Sequence, residues 1–211
     1  MRTAVVKLGG STAYHAEMRD WVAVLAAASM PLVIVPGGGR FADAVRAAQP
    51  DMGFSDRAAH FMAILAMEQM GIALLDMDER LVAARSPAEI ASALDAGRTP
   101  VWLPARMCSE AADIPASWDV TSDSLAAWLA GRVGAEALLL IKQTDAFDAV
   151  ADMEGLAEAR IVDPMLASML PAGVELYVAG PRELAVAHAR LAEGLLPGRR
   201  FARRVAERGA A

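Results

Sequence analysis

Short runs of uninterrupted apolar residues alternate along this 211-residue chain with stretches whose apolar positions recur every three or four residues. The runs at 3–8, 32–35, 72–75, 100–103, 137–141 and 174–178 have the length of strands. Most lack the apolar–polar alternation of a strand with one wet face, so they read as strands covered on both sides. The periodic stretches read as helices at 17–28, 41–48, from a cap at Ser55 or Asp56 to about residue 70, 87–94 and 122–132, with a last one ending near Glu193. Strand-then-helix repetition predicts an α/β fold, a three-layer αβα sandwich with a mostly parallel central sheet. It is expected to form one domain over 1–211, since no repeat, low-complexity linker or shift in composition divides it.

Breaker residues place the loops. Ser86 before Pro87 reads as a cap and first helical position, Asp51-Met52-Gly53-Phe54 as a turn, and the polar, proline-bearing segment 104–118 as an irregular excursion. Two strands run straight into glycine: Leu8 into Gly9-Gly10-Ser11-Thr12, and Val35 into Pro36-Gly37-Gly38-Gly39. In an open parallel sheet, ligands collect outside the carboxyl ends of the strands, where both loops and Lys142 arrive. Loop amides followed by a helix can face an anion, and the missing Cβ atoms permit close approach. Neither loop has the P-loop or dinucleotide pattern.

Composition narrows the class. Hydrophobic residues make up 55% and charged residues 22%, enough for a sizeable core and against disorder. The mean hydropathy of +0.33 reflects alanine, and no uninterrupted apolar run approaches the ~20 residues that cross a bilayer. No apolar leader is recognisable at the start, so a cytoplasmic location without a membrane partner is expected. A net charge of −6 disfavours nucleic acid as a partner. The cluster Arg199, Arg200, Arg203 and Arg204 is the local exception, read as a solvated helix face or subunit contact against an RNA or anion patch. The single cysteine, Cys108, fits a reducing compartment. Within the 20 basic residues, only Lys7 and Lys142 are lysines, and both stand at predicted strand ends. A compact ammonium there does what a planar guanidinium cannot.

Four motifs in order, Lys7-Leu8-Gly9-Gly10-Ser11, Val35-Pro36-Gly37-Gly38-Gly39, Asp119-Val120-Thr121-Ser122-Asp123-Ser124 and Lys142-Gln143-Thr144-Asp145, resemble the amino acid kinase superfamily. That superfamily includes acetylglutamate, aspartate, uridylate and isopentenyl phosphate kinases. Three longer segments, Pro36 to Arg46, Ala58 to Met67 and Ser117 to Ser124, are more similar to its branch of aminomethylfuranmethanol phosphate kinases of methanofuran and methylofuran biosynthesis. The resemblance implies an ATP-dependent kinase that uses Mg²⁺ carried by the ATP phosphates, converts an aminomethylfuran phosphate to its diphosphate and assembles as a homo-oligomer. It implies Lys7 and Lys142 as catalytic cations, with Asp123 holding both. It further implies Gly9, Gly10, Ser11, Lys142, Thr144 and Asp145 along the nucleotide. The acceptor, a small anionic substrate, falls to Gly37, Gly38, Gly39, Arg40, Asp43, His60 and Thr121. The acceptor half is expected at about 1–120 and the nucleotide half at about 121–211. Two features depart from the pattern: no glycine follows Lys142 within Asp145-Ala146-Phe147-Asp148, and Gly194-Leu195-Leu196-Pro197-Gly198 stands where a late phosphate loop is usual.

Other residues keep two readings. His60 either touches the acceptor or packs within its helix; Asp56 either caps a helix or meets an amine. Arg40 and Asp43 serve the acceptor or make surface contacts, and Trp102 and Trp118 wall a pocket or fill the core. Met62, Met67 and Met70 are spaced as helix core. The competing acceptors are isopentenyl phosphate, a nucleoside monophosphate or an acidic amino acid; the competing function is nucleotide or oxyanion binding without catalysis.

Overall fold

The computed structural model describes residues 3–204. Its elements follow in chain order: β1 (Ala4–Leu8), α1 (Glu17–Ala26), β2 (Leu32–Pro36), α2 (Gly39–Met52), α3 (Asp56–Leu75), β3 (Leu81–Ala84), α4 (Pro87–Asp95), β4 (Thr99–Trp102) and α5 (Ala105–Glu110). The second part contains α6 (Ser122–Arg132), β5 (Ala137–Ile141), α7 (Met153–Glu158), α8 (Leu166–Met169), β6 (Glu175–Ala179), α9 (Leu184–Ala192) and β7 (Arg199–Phe201). The seven strands form one sheet in the order β3-β4-β2-β1-β5-β6-β7, parallel except for the final β6–β7 pair. Helices cover both faces, which is the predicted sandwich.

β1, β2 and β5 are buried at every position, as their unbroken apolar runs require. Alternate residues feed two cores. Val5, Val33, Val35, Leu138 and Leu140 meet α6 and α8, while Ala4, Val6, Leu8, Leu139 and Ile141 meet α1 and α9. Because Lys7 pairs with Leu140 across the β1–β5 ladder, Lys7 and Lys142 fall two residues apart in register on the α6 face.

Four expectations change. The run 72–75 is the last turn of α3 rather than a strand, because the buried positions Met67, Met70, Gly71 and Leu74 keep helical spacing to its end. The strand at this edge is β3, a four-residue apolar run, Leu81–Ala84, in which only Leu81 and Ala84 are buried. The excursion 104–118 opens with the short helix α5. The arginine cluster does not form a helix face: Arg199 and Arg200 lie in β7, and all four guanidinium groups are engaged within the chain. Arg199 donates to the carbonyls of Phe147 and Asp148, Arg200 pairs with Glu175, Arg203 donates to the carbonyls of Ala167 and Leu170, and Arg204 pairs with Asp152 and Glu158.

α3 is long and apolar enough by length and composition to cross a membrane. In this fold it instead contributes Ile64 and Met67 to one core and Met70 and Leu74 to the other. Ser55 is its cap, accepting from the Ala58 amide, whereas Asp56 accepts from Gln49. Trp102 is fully buried and stacked on Trp128, so it belongs to the core, while Met62 lies partly exposed on α3.

Candidate active site

The two glycine loops interlock main chain against main chain. A Cβ on Gly10 would lie 2.2 Å from the Gly39 nitrogen, and one on Gly37 would lie 2.2 Å from the Gly10 nitrogen. Gly39 also adopts a φ of 53°, open to glycine at little cost. The absence of side chains at Gly10 and Gly37 is therefore a packing requirement of the loops themselves, in addition to whatever approach it gives a ligand.

Beside this joint opens a cleft of about 510 Å³. At its floor Asp123, 3% exposed on the first turn of α6, bridges both lysines: Lys7 Nζ lies 2.8 Å from Oδ1 and Lys142 Nζ 2.5 Å from Oδ2. Burial alone would raise the Asp123 carboxyl, but the ammonium groups of Lys142 and then Lys7 hold it far below the usual carboxylate range. Burial pulls Lys142 below the ordinary lysine value; Asp123 restores part of the loss and the like charge of Lys7 opposes it. Two ammonium ions around one carboxylate leave an excess positive charge in a dry place, which is costly unless an anion joins them.

The rim repeats the bias. Arg40 and Arg46 come from α2 with Asp43, which pairs with Arg46 at 3.3 Å, so two lysines, two arginines and two aspartates line the cleft. Trp118 forms part of the wall. Its indole donates to Gln49 at 2.7 Å and the Arg46 guanidinium stacks over its ring at 4.3 Å, fastening the segment before α6 to α2. His60 is 7% exposed, with Nδ1 3.2 Å from the Ser117 carbonyl. A carbonyl only accepts, so Nδ1 carries the proton and the neutral ring is left with a buried, unpartnered Nε2. Burial lowers the His60 pKa, and the Ser117 carbonyl offsets part of that.

Of the residues expected at the site, Lys7, Gly10, Ser11, Gly38, Gly39, Arg40, Asp43, His60, Thr121, Asp123 and Lys142 line this one cleft. Gly9 and Gly37 lie behind it in the loop joint. Thr144 and Asp145 lie outside it: Thr144 Oγ1 accepts from the Ala146 amide, and Asp145 pairs with Arg182 beside Gly180 in the turn after β6. His15, Arg46 and Ser122 also line the cleft without having been given a role from sequence: Arg46 and Ser122 fall within the quoted motifs, whereas no motif marks His15. The segment 194–198 is a turn that delivers β7, with Leu196 buried and Gly198 packed on Val178. Cys108 lies in the core, where burial pushes its thiol up to about 12. Among the described residues, no group of three His, Cys, Asp or Glu side chains could hold a metal.

A seven-stranded sheet with helices on both sides, glycine loops at the ends of β1 and β2, and a bridged lysine pair define a phosphotransferase-type scaffold, and the sequence agrees. Residues 2–152 match the amino acid kinase family, to which the chain belongs. A relative named [5-(aminomethyl)furan-3-yl]methyl phosphate kinase, from Methanocaldococcus jannaschii, is 24% identical over 143 residues, covering 67% of this chain and 66% of its own length. Among solved structures, uridylate kinase from Archaeoglobus fulgidus superposes with a TM-score of 0.63 at 17% identity, over 96% of this chain and 100% of its own. UMP kinase from Ureaplasma parvum gives 0.68 at 14% identity, over 95% and 98%, respectively. These structures share the fold, and all the named proteins are kinases.

Proposed function

We propose that this protein transfers the γ-phosphoryl group of ATP to an aminomethylfuran phosphate, giving the diphosphate, within methylofuran cofactor biosynthesis. The observation that carries the reading is the Asp123 carboxylate bridging Lys7 and Lys142 at the floor of a cationic cleft. A non-bridging oxygen of the acceptor phosphate attacks the γ-phosphorus, the bond to the β–γ bridging oxygen breaks, and its electron pair leaves with ADP. The acceptor phosphate is already ionised, so no general base is required; positioning and charge neutralisation carry the catalysis. Lys7 and Lys142 neutralise charge on the transferred group and the leaving phosphate, and Asp123 holds them in place. The cleft's own carboxylates already face cations, which suits Mg²⁺ arriving on ATP with its phosphate and water ligands. Bound there, it would share the charge of the β- and γ-phosphates.

Gly37 to Gly39, Arg40, Asp43, His60 and Thr121 serve the acceptor in this reading, within residues 1–120. Gly9, Gly10, Ser11, Lys142, Thr144 and Asp145 serve the nucleotide, with the remainder of that site in 121–211. The neutral His60 ring takes up a proton if it is to donate to the acceptor phosphate. Phe61, Met62, Leu65 and Ile72 form an exposed apolar stripe along α3, which supports a homo-oligomer closed by a second copy of the same helix. The buried Cys108 and absence of disulfides among the described residues fit a cytoplasmic setting.

The test is incubation of purified protein with Mg-ATP and the furan phosphate, followed by ³¹P NMR. ADP and a new diphosphate are expected. Inertness toward it, with turnover of isopentenyl phosphate, a nucleoside monophosphate or an acidic amino acid, reassigns the acceptor. Nucleotide binding without turnover of any acceptor removes the kinase reading.

A further inference from the structure

The described residues contain two buried acidic side chains, Asp123 and Asp163. Asp163 stands just ahead of α8, about forty residues beyond the lysine-bridging carboxylate, and faces the N-terminus of α6. Its Oδ2 accepts from the Thr121 amide at 2.9 Å, the Thr121 hydroxyl at 2.7 Å and the Ser124 amide at 3.0 Å. Its Oδ1 accepts from the Ser124 hydroxyl and from the Met165 amide at 3.1 Å. Asp163 thus sets two oxygens and five hydrogen bonds against the free amides and positive end of a helix.

A helix start does not by itself need such a partner. Thr121 already caps α6, its hydroxyl accepting from the Asp123 amide at 3.4 Å. What the remote carboxylate adds is a grip on Thr121 and Ser124, the residues on either side of Ser122 and Asp123. We propose that Asp163 is a positioning residue of the phosphoryl-transfer site: through Thr121 and Ser124 it fixes the turn that presents Asp123 to both lysines. The groups that act on Lys142 are Asp123 from α6, Lys7 from β1 and Asp163 from the turn before α8; the two carboxylates favour its charged form, while Lys7 and burial oppose it.

The kinetic test of this proposal rests on the phosphotransfer reading, whereas the lysine titration needs no substrate. Because the chain has only two lysines, protein labelled with ¹³C at lysine Cε gives two side-chain signals, assigned with Lys7→Arg and Lys142→Arg. In Asp163→Asn the Lys142 signal is expected to titrate at lower pH than in the wild type. With a working acceptor, kcat falls about ten- to a hundredfold and its alkaline limb moves to lower pH. The acceptor KM changes less than kcat does, since Asp163 reaches the cleft only through Thr121, which lines it. An unchanged Lys142 titration, with only a lowered melting temperature, overturns the proposal. Should Asp163→Asn not fold, Ser124→Ala removes one bond and keeps the charge: kcat reduced at constant KM supports the positioning role, and wild-type kcat refutes it. Failure to phosphorylate the furan phosphate leaves the NMR result standing, so the two readings fail separately.

Discussion

The ends of β1 and β2 and the ends of β5 and β6 deliver loops to the same edge of the sheet, yet they are held by different physics. At β1 and β2, Gly10 and Gly37 pack peptide against peptide, with no side chain between them. At β5 and β6, Gly180 instead approaches the Asp145 side chain, which the largely exposed Arg182 reaches along with Asp148. Main-chain packing is short-ranged and unaffected by salt, whereas exposed ion pairs contribute little and are screened. The β1–β2 joint, which carries Gly10 of the proposed nucleotide set and Gly37 of the proposed acceptor set, is therefore preformed, and the β5–β6 edge is freer to adjust when a ligand arrives. Lys7, at the end of β1, and Lys142, at the start of the β5 loop, join the two across Asp123.

The sharpest break in this picture is at the junction. Lys142→Ala is expected to reduce phosphoryl transfer about 10²–10³-fold with an intact circular dichroism spectrum, measured by coupled ADP release. Asp123→Ala should also destabilise the fold, by about 3–5 kcal/mol, because it leaves two ammonium groups close together in a buried place; chemical denaturation gives that value. Next comes the loop joint. Gly37→Ala is expected to cost about 2–4 kcal/mol, because its Cβ meets backbone rather than a side chain that can swing away. Gly173→Ala is the control, left-handed at φ 89° but with nothing within 4 Å, and should cost about 1 kcal/mol. A Gly37 variant no less stable than the Gly173 variant would show that the joint yields.

A smaller effect tests the acceptor wall. His60 is held neutral by burial, so the unfolded chain takes up its proton first as pH falls. Its contribution to stability is complete above the unfolded value near 6.5 and is lost as pH falls through the lowered folded value. Denaturation curves at pH 7.5 and 5.5 should diverge less in His60→Leu than in the wild type. The smallest effect belongs to the exposed edge: Arg182→Ala should leave the unfolding midpoint unchanged at physiological salt, and any change should appear in the ATP KM. A marked loss of stability would mean that this edge is as preformed as the other.

The sheet was legible because β1, β2 and β5 are continuous apolar runs, a pattern that burial on both faces imposes. β3 and β7 were not, since edge strands of three or four residues, only some of them buried, obey weaker constraints, and the arginines of β7 look like any solvated cluster until their partners are known. The scarcity of lysine pointed to Lys7 and Lys142, and the register of β1 with β5 explains why they converge. Asp163 escaped notice as a chemical residue: Asp-Pro is common turn punctuation, and its bonds reach Thr121 and Ser124, about forty positions away. The dual role of the glycines was equally hidden, because one loop's steric demand comes from the other.

That mutual demand constrains how such a protein can diversify. Each loop is the mould of the other, so a change of residue in one is tolerated only with a matching change in a segment nearly thirty positions distant. If the cleft holds the acceptor as proposed, new acceptors are more readily accommodated by altering Arg40, Asp43, Arg46, His60 and Trp118, which line the opening and are not part of that contact. The chemistry is inherited as a block, while the choice of molecule stays open to single substitutions.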